Sequence, residues 1–359
     1  MTSKIALLQA NPVVGDIAGN AMMICGLAST AAEEGASFAV TTELAISGYP
    51  PRDLLIQSDF VTECHHVASS LETEIPVLVG TPVPPVNDRS LPGNGVVRAG
   101  DSVREVTRKQ LLPTYDVFDE ARYFEADERP GIARTIAGLD IGVTICEDAW
   151  QHCGATPNDY DSDPIAQIVE WGRQGVVLDA TVNLSASPYH ANKSGIRIAV
   201  ARSAASSLNH PFLLANQVGG NDDLLFDGRS IIAWPDGTAV VAPAWTRGVL
   251  LTDLSDPEGC TWIGDGEVTI LKPGEELKED ENDLLDAIVI GLADYCRKSG
   301  ISKIVLGLSG GIDSALAACV ASAAVGAQNV TGISMPSKHS SQHSIDDAKA
   351  TAEALGLNF

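Results

Sequence analysis

Residues 141–150 read IGVTICEDAW. Apolar and β-branched residues run into a cysteine, then two carboxylates and a tryptophan, the pattern of a buried strand that delivers Cys146 to a turn at its carboxyl end. Chemistry in α/β folds collects at that end of a strand. A lone buried cysteine is usually inert packing, so the case for Cys146 depends on whether other stretches finish the same way. Two do. Ala36 to Glu43, ASFAVTTE, is an apolar run that stops at a carboxylate before the turn-rich SGYPP of residues 47–51. Val103 to Lys109, VREVTRK, alternates like a half-buried strand and stops at a lysine. A thiol needs a base to become thiolate, and an acyl-transfer intermediate needs a cation or amide N–H groups at its oxyanion. Glu43 and Lys109 can supply those roles.

Outward from these runs, strands and helices alternate. Lys4 to Leu8 reads as the first strand, Asn20 as the cap of a helix closed by Gly35, and 38–42 as the next strand. A helix over about 59–72, a buried strand at 76–80 and a hairpin of 94–98 with 102–108 follow. Beyond Cys146 come a helix at 164–172, a strand ending in the small-residue loop NLSASPYH, a helix over 193–208, a strand at 212–215 and a hairpin turn at PDG, 235–237. This is an α/β chain, and its several hairpins predict mixed rather than all-parallel sheets. Around 255–283 Gly, Pro and acidic residues accumulate, which predicts a domain boundary with 256–280 as linker.

Composition narrows the function. At 359 residues and 45% hydrophobic content the chain is long enough for one large domain and part of another. No apolar run approaches the roughly 18 to 20 residues of a membrane span, and the amino terminus has no signal-peptide pattern, so a soluble cytoplasmic protein is expected. A formal net charge of −24 argues against nucleic-acid binding. The seven cysteines, at 25, 64, 146, 153, 260, 296 and 319, lack metal-ligand spacing and suit reduced thiols.

TTELAISGYPPRDLL (41–55), KQLLPTYDVFDEARYF (109–124) and CEDAW (146–150) resemble the three signature segments of the nitrilase-type amidase domain in glutamine-dependent NAD synthetases. The resemblance implies an α-β-β-α sandwich over 1–255, with Cys146 as nucleophile toward the glutamine amide, Glu43 as its base and Lys109 at the oxyanion. Glu120 would hold Lys109 in place. Tyr115, Ser187 and Lys193 match positions that contact glutamine; a phenol, a hydroxyl and an ammonium suit its amino-acid end.

A second informative stretch, ISKIVLGLSGGIDSALAACVASA, covers 301–323. A buried strand runs into LSGGIDS and an alanine-rich helix, so Gly310 and Gly311 let the backbone approach a polyanion while the helix start offers free N–H groups. It is not a Walker A loop, for no GK[ST] is present. SGGIDS resembles the pyrophosphate loop of ATP pyrophosphatases, which implies that Gly307, Leu308, Ser309, Gly310, Gly311, Ile312, Asp313 and Ser314 cradle ATP and that Asp313 reaches Mg²⁺. Farther on, MPSKHSS (335–341) resembles the family's MPSxYSS, with His339 where tyrosine is usual. In that family the synthetase domain continues past this point, so 281–359 would be its amino-terminal part. The implied reaction is ATP-dependent amidation of nicotinate adenine dinucleotide with ammonia from glutamine, in a homo-oligomer. Two rivals stay open: a stand-alone amidase with a vestigial ATP segment, and a subunit completed by a separate chain.

Overall fold

In β1 (Lys4–Gln9) Ile5 and Leu7 enter one hydrophobic cluster while Ala6 and Leu8 enter another. Successive strand residues face opposite sides, so this strand is buried on both. β2 (Ala36–Val40) divides likewise, Phe38 and Val40 against Ala39, and β3 (Val77–Val83) divides Leu78 from Val77 and Val79. Strands of this kind require a layer above and a layer below. The structure is a computed structural model that describes residues 4–87, 89–157, 159–274, 281–336 and 341–359; His339, singled out above, lies outside them.

One layer is helical. α1 (Ile17–Glu33) and α2 (Ser58–Ser69) cover the Ala6–Leu8 face with Ile24, Ala28, Ala31, Cys64 and Ala68. The other layer is a second sheet. After β4 (Gly93–Ala99) and β5 (Arg104–Arg108), which extend the first sheet, come β6 (Gly131–Ile136), β7 (Leu139–Ile145), β8 (Ala180–Ser185) and β9 (Phe212–Asn216). Val143, Ile145, Val182, Leu184, Leu213 and Ala215 share one core cluster with Ile5, Leu7, Phe38 and Val40. The outer face of β9, Phe212 and Leu214, packs on α3 (Pro164–Arg173) and α4 (Lys193–Leu208) through Ile165, Ile198, Ala201 and Ala204. The order helix, sheet, sheet, helix is the expected α-β-β-α sandwich.

The hairpin of β10 (Val218–Asn221) and β11 (Leu224–Asp227) follows, then β12 (Ile231–Ala233), β13 (Ala239–Val241), β14 (Gly248–Asp253), β15 (Asp256–Gly264) and β16 (Glu267–Ile270). The first sheet runs β16-β15-β14-β1-β2-β3-β4-β5 and the second β13-β12-β9-β8-β7-β6. β1–β2–β3 and β7–β8–β9 pair in parallel, and antiparallel strands flank both, so the sheets are mixed as expected.

Contacts divide the chain into two units, residues 1–218 with 226–278 and residues 219–225 with 279–359. Within the second, α5 (Glu281–Lys298) precedes β17 (Ile304–Gly307), α6 (Ile312–Val325), β18 (Val330–Ile333) and α7 (Gln342–Leu355). β17 and β18 pair in parallel, and Asn358 adds a bridge to Thr331.

Two expectations are corrected. The segment from 256, read as linker, forms β15 and β16 instead, because Cys260 and Trp262 alternate inward while Gly and acidic residues occupy the turns and the exposed edge. The first helix starts at Ile17, with Asp16 as cap accepting from Gly19 N at 3.0 Å. Asn20 has another task. Its Oδ1 accepts from Val13 N at 2.8 Å, and its Nδ2 donates to Val13 O at 2.8 Å and Ile46 O at 2.9 Å, which ties the first turn to the one that carries Glu43. Asn20→Ala should therefore lower stability by about 2 to 4 kcal/mol, since buried backbone groups lose their partners. A urea midpoint equal to wild type would refute that assignment.

Candidate active site

Three strand ends converge. Glu43 follows β2, Lys109 follows β5 directly and Cys146 follows β7 directly. Neighbouring parallel strands β7 and β8 hold the last of these in register, Ile145 opposite Leu184. Lys109 is fully buried, and its Nζ donates to Glu43 Oε1 at 2.7 Å and to Glu120 Oε2 at 2.7 Å. The expected partnership of Glu120 with Lys109 is thus a direct ion pair, and Tyr49 OH donates to the same Glu120 carboxylate at 2.8 Å. Glu43 is fixed at both oxygens: Oε1 also accepts from Asn94 Nδ2 at 2.7 Å, and Oε2 accepts from Ala186 N at 3.0 Å. Gly80 passes under this turn so closely that a Cβ would lie 2.3 Å from Thr42 O.

Burial dominates the electrostatics. It pushes the Glu120 carboxyl up to about 7, with Lys109 pulling the other way. Burial alone would lower the Lys109 ammonium, but the carboxylates of Glu120 and Glu43 outweigh it and hold the group well above its ordinary value. The Cys146 thiol is raised, first by burial and then by the Glu43 charge. It therefore rests as a thiol, and a base must remove its proton before it can attack.

Cys146 sits in the left-handed region, φ +44°, at the start of a short 3-10 turn, Cys146–Ala149. A non-glycine residue there costs about 1 to 3 kcal/mol and persists only where its surroundings enforce it. Asp148 is part of that enforcement: its carboxylate accepts from Gln110 N (3.1 Å), Leu111 N (2.9 Å) and Ile145 N (3.0 Å). One buried side chain therefore joins the segment after Lys109 to the residue before Cys146. Asn183 Nδ2 donates to Cys146 O at 3.3 Å from the adjacent strand.

A cavity of about 230 Å³ opens on Cys146, lined also by Tyr115, Phe118, Glu147, Trp150, Ser187, His190 and Lys193. Tyr115, Ser187 and Lys193, chosen from sequence, thus surround the sulfur. Lys193, at the first turn of α4, lies 5.4 Å from the Trp150 ring centroid and 6.0 Å from that of Phe118. Burial lowers its ammonium to about 8. Glu147 faces the same cavity and accepts from Tyr115 OH at 2.7 Å and Tyr160 OH at 3.2 Å. Ser187 N donates to Asn216 Oδ1 at 3.0 Å, whereas Ser187 Oγ is buried with no partner among the described residues. Cation, anion and unpaired hydroxyl make a polar end suited to a small zwitterion.

In the second unit, Gly307, Leu308 and Ser309 line a cavity of about 300 Å³ with Ser334, Met335, Pro336, Ser344 and Ile345. Gly310, Gly311, Ile312, Asp313 and Ser314 form the adjoining turn and the first turn of α6. Gly310 has φ +79°, and a Cβ there would meet Ser344 O at 2.2 Å. Ser309 Oγ accepts from Gly311 N at 3.2 Å, and Ser314 Oγ donates to Gly311 O at 2.9 Å. Among the described residues no three His, Cys, Asp or Glu side chains gather as a metal site.

Asn94, Tyr49 and Asn183 carry no local signal as site residues, for they lie within strands or turns and reach the site only through the fold. Glu147 and Asp148 stand beside Cys146 in CEDAW, and the two adjacent acids were the available signal.

The ion cluster yields a pH test. In Lys109→Met the Glu120 carboxyl, already pushed up to about 7 by burial, loses the cation that pulls it down, so its folded-state pKa rises further above the unfolded value of about 4.3. Stability is then retained at acid pH and lost as pH climbs from the unfolded value toward the raised one, by about 3 to 5 kcal/mol at pH 8 and by more than in wild type. Melting curves of Lys109→Met that follow wild type from acid to alkaline pH would contradict this.

A model of the carbon-nitrogen hydrolase family matches residues 4–258, and a model of NAD synthase matches residues 284–359. A glutamine-dependent NAD(+) synthetase of Synechocystis sp. is 40% identical over 365 residues, covering 99% of this chain and 63% of that protein. The solved glutamine-dependent NAD+ synthetase of Acinetobacter baumannii, in complex with adenosine diphosphate, is similar with a TM-score of 0.83 at 29% identity, over 99% of this chain and 64% of that one. An amidase from Nesterenkonia sp. shares the fold, with a TM-score of 0.56 at 20% identity over 70% of this chain and 90% of that one. The chain therefore spans 63% of the length of its Synechocystis relative. Its first 258 residues carry the family model across most of the chain, and the protein belongs to the carbon-nitrogen hydrolase family.

Proposed function

We propose that the protein acts as a glutamine-dependent NAD(+) synthetase, which hydrolyses glutamine at Cys146 and uses the ammonia to amidate nicotinate adenine dinucleotide at the expense of ATP. The observation that carries this reading is the buried Cys146, Glu43 and Lys109 cluster beneath a cavity with a cationic and an anionic wall, in one chain with a segment that matches NAD synthase.

Glu43 takes the proton from Cys146, and the sulfur attacks the side-chain carbonyl of glutamine. Lys109 and the backbone N–H that follows Cys146 stabilise the oxyanion. As the intermediate collapses, Glu43 returns the proton to the leaving nitrogen, and ammonia departs from a thioester. Water, losing its proton to Glu43, then releases glutamate. Lys193 pairs with the substrate carboxylate, Glu147 with its ammonium, and Tyr115 and Ser187 bond the same end.

At the second site the pyridine carboxylate attacks the α-phosphorus of ATP and expels pyrophosphate. Adenylation turns a poor electrophile into one that ammonia can displace as AMP. Residues Gly307 to Ser314 receive the phosphates through backbone N–H groups and the start of α6. Asp313 offers the single carboxylate that a Mg²⁺ bound mainly by phosphate oxygens needs, which would offset phosphate charge there. The proposal places the enzyme in the cytoplasm as a homo-oligomer. Its described cysteines are unpaired, and none of its described helices is long and apolar enough to cross a membrane.

The test is NAD formation by the purified protein from nicotinate adenine dinucleotide, ATP and Mg²⁺, with glutamine or with an ammonium salt. Both sources should give NAD, and Cys146→Ala should lose only the glutamine-driven reaction. Glutamate release without NAD from either source would favour an amidase reading instead. Because Lys193 loses its charge above about pH 8, the KM for glutamine should rise by about tenfold between pH 7 and 9. Lys193→Met should start with a high KM and lack that rise. An unchanged KM in this variant would remove Lys193 from substrate binding.

A further inference from the structure

Glu43 has two oxygens, and their surroundings differ. Oε1 accepts from Lys109 Nζ at 2.7 Å and from Asn94 Nδ2 at 2.7 Å, while Oε2 accepts only from Ala186 N at 3.0 Å among the described residues. Each carboxylate oxygen has two lone-pair sites, so Oε1 is saturated and Oε2 keeps one open. A proton on Oε1 would face an amide N–H or an ammonium, neither of which can accept it. The asymmetry comes from Asn94. Without it, Oε1 would keep a lone pair open as well.

Asn94 is almost wholly buried in β4, and its backbone O accepts from Lys109 N at 2.8 Å. It thus grips the base with its side chain and the cation-bearing residue with its backbone. Its orientation is set chemically, because a carboxylate can only accept and so requires Nδ2 toward Oε1. Oδ1 is left buried with no donor among the described residues. Sharing one carbon with Nδ2, it lies within about 5 Å of Glu43 Oε1.

We propose that Asn94 is a positioning residue of the glutamine half-reaction, which blocks Glu43 Oε1 and makes Oε2 the oxygen that handles the proton. The S–H bond of Cys146 breaks, an O–H bond forms at Oε2, and the electron pair stays on sulfur. The same proton then leaves Oε2 for the departing nitrogen. This rests on the amide-hydrolysing reading of the site.

The experiment measures glutamate release from glutamine, as kcat and KM from about pH 5 to about pH 9, in wild type, Cys146→Ser, Asn94→Ala and Asn94→Asp. Asn94→Ala should lower kcat by about tenfold or more and leave KM within about twofold. Its acid limb should move to higher pH, since Glu43 loses a donor that favours the charged form. Asn94→Asp, equal in volume, should move that limb further because a second carboxylate opposes ionisation. Thermal melts identify a variant that fails to fold, in which case the other decides. A wild-type acid limb in the folded variants overturns the inference, whatever happens to kcat, because a purely structural role would leave that limb in place. If wild type releases no more glutamate than Cys146→Ser, the amide-hydrolysing reading fails, and the assignment falls with it.

Discussion

A fully buried ammonium between two buried carboxylates constrains everything around it. Burying an ion without a partner costs several kcal/mol, so Lys109, Glu43 and Glu120 are tolerable only together, and only if the remaining lone pairs find donors. Tyr49, Asn94 and the Ala186 N–H are those donors. They come from the turn after β2, from β4 and from the segment after β8, so the cluster forms only when both sheets have formed. The Cys146 thiol shares this dependence. Its strained backbone is enforced by Asp148, which draws its three N–H donors from either side of the site.

Two-sided burial of the central strands follows from the same arrangement. A cation with no exposure needs protein on every side, and strands covered on one face alone would leave it near water. Pairing the two sheets through Ile5, Leu7, Val143 and Val182 places the strand ends in a common interior, while α1, α2, α3 and α4 seal the outer faces. The strand pattern and the buried charge are two consequences of one four-layer design.

Periodicity made the strands legible, because β1, β2 and the end of β7 carry apolar and β-branched runs while β5 alternates, and an ionisable residue at the end of either pattern stands out. Glu43, Lys109 and Cys146 were visible for that reason. Asn94 was not: it acts on Glu43 from 51 residues away in sequence, and an asparagine inside a strand carries no local signal. Asn20 misled in the opposite direction. An asparagine ahead of an apolar helix reads as a cap, but its amide has one acceptor and two donors, and the fold spends them on Val13 and Ile46. β16 was read as linker because all four of its residues are exposed. An edge strand with both faces wet has no hydrophobic period to detect.

Acidity sets a different constraint on the second unit. With a net charge of −24 the protein repels polyanions at a distance, so a phosphate site must act at short range. Residues 307–314 contain no lysine or arginine. What they offer is shape: a glycine in the left-handed region packed against Ser344 O, a serine hydroxyl that braces Gly311, and the open N–H groups of α6. Such groups are fixed before a ligand arrives, so binding pays little ordering entropy, and their reach ends within a turn of the helix. On the proposed reading, a nucleotide whose phosphate charge is already partly neutralised by a divalent cation suits this loop better than a bare one. The single acid at the helix start, Asp313, is then compatible with phosphate binding, because it would meet the cation before it met the phosphates.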